Sequence, residues 1–160
     1  REVKKEYLTL VYGQMKETQG QIAYSIIRSK KNYSKFTTGP GKDAVTDFEV
    51  VSFCLDPKRH QEYTFLKAWP KTGRTHQIRV HLKAKGYPIV SDMKYCFKNQ
   101  RKINPLPRLF LHAHQISFDD PSTGVRQEFK APLAQDLKDY LDTLTCSSPS
   151  EASPEVAPLP

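Results

Sequence analysis

Lys71-Thr-Gly-Arg-Thr-His-Gln-Ile-Arg-Val-His-Leu82 admits two readings. Ile78, Val80 and Leu82 alternate as in a strand, while the signals at the ends of the stretch are those of a helix. Gly73 precedes it, Thr75 suits an N-cap, Lys83 and Lys85 fall in the last turn, Gly86 closes it and Pro88 lies just beyond. These ends predict a helix over residues 75–85, with Thr75, Arg79 and Leu82 sharing a face. Just upstream, residues 62–69 read as a strand with Tyr63, Phe65 and Trp69 on one face and Leu66 and Ala68 on the other. Apolar groups on both faces imply a sheet covered on both sides.

Further out, the pattern predicts strands over 6–12, 21–27, 45–54, 109–118 and 126–130. Residues 28–43 are basic and glycine-containing and read as a loop. Pro132 fits the first turn of a helix over 133–144, whose stripe is Leu133, Leu137, Tyr140, Leu141 and Leu144. Residues 147–160 hold four Pro, four Ser and no aromatic residue, the composition of a disordered tail. The fold class expected is α+β, a mostly antiparallel mixed sheet with packed helices.

The chain has 160 residues, with 25 Lys and Arg against 17 Asp and Glu. That length suits one domain or part of a slightly larger one. No apolar run approaches the roughly 18 residues of a membrane helix, and no secretory leader pattern opens the chain. Three widely spaced cysteines, Cys54, Cys96 and Cys146, match neither a disulfide framework nor a zinc ribbon and point to a reducing compartment. The positive charge is concentrated: residues 58–102 carry 12 Lys and Arg and 2 Asp and Glu. With Tyr63, Phe65, Trp69, Tyr87, Tyr95 and Phe97 among them, this stretch suits a polyanion, although a solvated basic face and core aromatics read the same way. Arg28, Lys30, Lys31 and Lys35 form a second basic cluster that demands no function.

The 71–82 stretch resembles the signature of the RluA-type pseudouridine synthases, and the likeness is carried by several ordered segments. Gly86-Tyr-Pro-Ile-Val and Asp92-Met-Lys-Tyr95 follow the family pattern, with Ser91 where a Gly is usual. Arg108-Leu-Phe-Leu-His-Ala113, Val3-Lys-Lys-Glu-Tyr-Leu-Thr-Leu-Val11 and Lys42-x-Ala-x-Thr-x-Phe-x-Val50 fit as well. The resemblance covers about residues 1–144. It implies an RNA enzyme that breaks the N1–C1′ bond of uridine, turns the base and rejoins it through C5, with no redox step and so no cofactor and no metal. Ribosomal RNA is the first substrate expected and transfer RNA the second, in the cytoplasm, or in an organelle or the nucleus if the source is eukaryotic, by a monomer.

Roles carried over by the resemblance fall on named residues. Arg79 pairs with the catalytic aspartate, keeping it ionised through a two-pronged contact. Tyr7 is the active-site tyrosine, stacking on the base or relaying the C5 proton. Leu111 is an apolar contact to the base, or an ordinary core leucine. Arg74 and His76 contact the RNA backbone or fix the loop, or His76 is a satisfied structural histidine; Lys71 is a phosphate contact or a solvated lysine, and Gln77 is structural. The family places its aspartate in a His-Arg-Leu-Asp segment upstream of the tyrosine. None of the nine aspartates here follows Arg-Leu. The expectation is therefore the later part of a catalytic domain, residues 1–146, inactive alone. Two rivals stand beside this reading: a non-catalytic RNA-binding module, and a metal hydrolase built on His112-x-His114 with His76 and His81.

Overall fold

The computed structural model describes residues 3–150. Nine strands, two helices and one 3-10 turn follow in the order β1 (Lys4–Tyr12), β2 (Gln19–Ala23), β3 (Ile26–Arg28), β4 (Phe36–Thr38), β5 (Val45–Asp56), β6 (Gln61–Pro70), α1 (Gln77–Ala84), the turn at Gln100–Lys102, β7 (Leu111–Asp119), β8 (Arg126–Lys130), α2 (Gln135–Asp142) and β9 (Thr145–Ser147). One sheet runs β2-β5-β6-β1-β7-β8, with β9 also on β5, and β3 pairs with β4 separately. Every pairing is antiparallel among the described residues. The α+β expectation holds. No helix among the described residues is long and apolar enough to cross a membrane.

The central pair, β1 and β6, is apolar on both faces, as residues 62–69 predict. Leu10, Val11, Tyr63, Leu66 and Ala68 are fully buried. Phe65 meets Phe110 edge-on, and Tyr63 meets Tyr12 and Tyr140. The strand-like alternation in α1 also has a physical origin. Ile78 and Leu82, one turn apart, enter the main core, while Val80 enters a second cluster with Ile26, Ala44 and Tyr95. A helix wedged between two cores needs apolar residues on two sides.

Several expected boundaries are corrected. The helix begins at Gln77, not residue 75, and its N-cap is His76 in the left-handed region (φ 56°), not Thr75. Strand 21–27 breaks at Tyr24 and Ser25, giving β2 and β3. The loop expected over 28–43 contains β4, and Gly41 lets the chain close on β3, since a Cβ there would lie 2.2 Å from the Ile26 carbonyl oxygen. The second helix is shorter, with Ala134 as N-cap, so Pro132 lies outside it. The tail expected from residue 147 begins inside β9; residues 151–160 lie outside the described residues. The cysteine spacing gave no sign of one pairing: β9 lies against β5 with Cys146 opposite Cys54, and the two form a disulfide, leaving Cys96 free.

Candidate active site

A cavity of about 310 Å³ opens where β1, the 70–76 turn, the start of α1 and Leu111 meet. Tyr7, Arg74, His76, Arg79 and Leu111 line it together with Lys5 and Ile78. Five of the six residues singled out in the sequence thus converge from three parts of the chain. Lys71 is the exception: its ammonium sits 3.1 Å from the Asp47 carboxylate and does not line the cavity.

Strand geometry sets the floor. Tyr7 is half-buried on β1, with Ala68 and Ala113 as neighbours in the flanking strands. Two small neighbours leave its ring flanked by space. The β1–β7 register shifts at Glu6 and Tyr7, an irregularity of the kind that re-aims side chains beside sites. Leu111 lies opposite Thr9 at the start of β7.

The wall is a hydrogen-bonded turn, and Gln77 organises it. Its Oε1 accepts from the Thr72 hydroxyl (2.7 Å) and the Arg74 amide (3.0 Å). Its Nε2 donates to the Val45 carbonyl (2.9 Å) and Thr46 Oγ1 (3.0 Å). Gln77 is buried, and these four bonds tie the turn to β5. The structural role expected of Gln77 is what the geometry shows. His81 is a second anchor, fully buried between Thr46 Oγ1 and the Tyr24 carbonyl, each at 3.0 Å. Burial pushes its pKa down, so it stays neutral.

Arg79 has a partner to which the sequence reading assigns no role. Its Nε and Nη2 donate to the two oxygens of Asp92, both at 2.7 Å, and its guanidinium lies 4.8 Å from the centre of the Tyr95 ring. Asp92 is buried and also accepts from the amides of Lys94 and Tyr95. The Tyr95 hydroxyl contacts His76 Nδ1 at 2.8 Å and accepts from the Phe36 amide at 3.0 Å. The Asp-x-x-Tyr spacing after the helix was the available sign of this bracket. Burial, then the charges of Arg79 and Lys94, lower the pKa of His76.

Arg74 donates from Nε to the Asp43 carbonyl and stands between this cavity and a neighbouring one of about 440 Å³, which Arg28, Phe36 and Lys42 also line. No carboxylate lines either cavity among the described residues. His112 and His114 both reach the Ala131 carbonyl and do not line the first cavity.

Known proteins resemble this chain along most of its length. The family model described as RNA pseudouridylate synthase matches residues 1–84. An uncharacterized RNA pseudouridine synthase of Bacillus subtilis is 38% identical over 143 residues, covering 89% of this chain and 44% of the relative. A ribosomal large subunit pseudouridine synthase C of Buchnera aphidicola is 36% identical over 154 residues, covering 90% of this chain and 46% of the relative. The chain thus spans about half the length of these curated relatives. Among solved structures, human RNA pseudouridylate synthase domain containing 1 superposes with a TM-score of 0.76 at 26% identity, over 91% of this chain and 60% of that one.

Proposed function

The chain belongs to the RNA pseudouridylate synthase family, and on that premise we propose that it is part of an enzyme converting uridine to pseudouridine in structured RNA, ribosomal RNA first and transfer RNA second. Residues 1–146 are read as the later portion of its catalytic domain, acting as a monomer in the cytoplasm without metal or cofactor. The observation that carries the proposal is the convergence of Tyr7, Arg79, Arg74, His76 and Leu111 on one cavity.

The chemistry follows from what lines that space. Cleaving N1–C1′ leaves an electron-poor sugar carbon that a carboxylate stabilises or attacks. Asp92 is not that carboxylate, because it is buried outside the cavity and committed to Arg79. Asp92 takes two of the five N–H donors of Arg79, which leaves three to hold a second carboxylate, supplied by the segment that carries the family aspartate. Tyr7 and Leu111 offer an aromatic face and an apolar contact to a uracil turned out of its stack. Arg74, with Arg28 and Lys42 in the adjoining cavity, suits the phosphates of flanking nucleotides.

The cavity's lack of a lining carboxylate among the described residues favours one second reading, RNA binding without turnover. Tritium release from RNA labelled with [5-³H]uridine separates the two, run on the longest natural chain containing this segment. Release from ribosomal or transfer RNA that falls sharply in Tyr7→Phe supports the synthase. Salt-sensitive RNA binding with no release supports the binding module.

A further inference from the structure

We propose that Tyr95 is a positioning residue of the site: its hydroxyl donates to Nδ1 of His76 and fixes the imidazole with its proton on Nε2, so that the histidine offers the cavity an N–H donor. The inference rests on the synthase reading only for what that donor serves, the carbonyl or phosphate oxygens of a bound uridine nucleotide.

Hydrogen-bond accounting leads to it. Tyr95 is 2% exposed, and its oxygen already accepts the Phe36 amide proton. Its own proton needs an acceptor, because a buried hydroxyl proton left unpaired is costly. Among the described residues, His76 Nδ1 at 2.8 Å is the acceptor its hydrogen bonds provide. An Nδ1 that accepts carries no proton, and a neutral imidazole must then carry it on Nε2. Burial raises the pKa of Tyr95 and lowers that of His76, so both groups keep these forms near neutral pH.

The backbone supplies a second, independent sign. His76 holds φ 56°, one of three non-glycine residues with positive φ among those described. A non-glycine residue is disfavoured in the left-handed region and persists there where the surroundings fix it. Here Phe36 and Tyr95 meet the imidazole edge-on at 5.9 and 5.5 Å. The same Tyr95 ring lies against Arg79, which Asp92 clamps three residues earlier in the turn. One turn, Asp92 to Tyr95, therefore aims both the arginine and the histidine.

The test is the long-range ¹⁵N–¹H spectrum of the histidine rings in the 160-residue chain, with His76 assigned through His76→Gln. The expected wild-type spectrum shows His76 protonated on Nε2 alone. Tyr95→Phe, which keeps the buried ring, is expected to convert it to a mixture of tautomers. A wild-type His76 protonated on Nδ1, or a spectrum unchanged by Tyr95→Phe, overturns the assignment. The spectrum requires no turnover. A chain that shows the tautomer but whose longest natural form releases no tritium contradicts the synthase reading and leaves the tether between Tyr95 and His76 standing.

Discussion

Two arginine–aspartate–tyrosine clusters in this chain look alike on paper and differ in what surrounds them. Beside the cavity, Arg79 grips Asp92 with two nitrogens and lies against Tyr95; the two charged side chains are 18% and 1% exposed. At the turn of the β5–β6 hairpin, Arg59 touches Asp56 with one nitrogen at 2.8 Å, and these side chains are 47% and 4% exposed. Tyr140 and Tyr63 complete that second group, joined hydroxyl to hydroxyl at 3.1 Å. Both aspartates are buried and both accept backbone amides. Arg79 lines the site cavity, and Arg59 does not. The difference separates a cluster that aims a cation from one that closes a turn and docks α2.

The comparison is sharpest where a partner is removed. Asp92→Ala strands a mostly buried guanidinium and is expected to cost about 3–5 kcal/mol. Asp56→Ala leaves Arg59 free to reach water, and the loss is expected near 1–2 kcal/mol, mainly from unpaired amides. Urea unfolding measures both, and equal losses would erase the distinction. The second cluster also sits beside the Cys54–Cys146 disulfide, whose closed loop is long. Reduction is expected to lower stability by about 2–4 kcal/mol while leaving RNA binding intact, since neither cysteine lines the cavity. Thiol treatment that abolishes binding would tie the two regions together.

The smallest expected effect is a pH dependence. His76 and His81 both have folded-state pKa values below the ordinary 6.5, chiefly through burial. The unfolded chain therefore binds protons that the folded chain refuses, so stability is full above about pH 6.5 and declines as pH falls, until the folded pKa is passed. The slope is at most about 1.4 kcal/mol per pH unit for each histidine. Asp56 adds to the decline at lower pH. Burial alone would raise its pKa, but the Arg59 side chain and the Arg59 and Lys58 amides outweigh burial and lower it. A urea midpoint flat between about pH 7 and pH 5 would contradict the histidine assignment.

Much of this arrangement is written locally and some is not. The strands of the central sheet follow from alternation, and the resemblance names five residues that the fold gathers into one cavity. The resemblance names Arg79, whereas its bond to Asp92 had no sign beyond the Asp-x-x-Tyr spacing after the helix. That contact joins a helix to a turn 13 residues on, and no periodicity reports it. Lys71 belongs to the signature stretch but turns to Asp47 on the neighbouring strand. The start of α1 was misplaced because Thr75 has the chemistry of a cap. The chain instead uses the Gln77 side chain to hold the turn, which frees His76 to adopt the left-handed conformation. β9 is three exposed residues whose placement depends on a partner strand some 90 positions away. Its pairing and its disulfide left no mark in local sequence.

The arginine clamped by Asp92, and not its counterpart at Asp56, is the one expected to serve the proposed reaction. The most direct test is tritium release from [5-³H]uridine-labelled ribosomal RNA by the longest natural chain, comparing Arg79→Lys with Arg59→Lys. Lysine keeps the charge and loses the two-pronged geometry. The expected result is a fall of about 100-fold or more for Arg79→Lys, the scale of losing an aligned electrostatic donor, and a change within about twofold for Arg59→Lys. Equal activity in the two variants would contradict it.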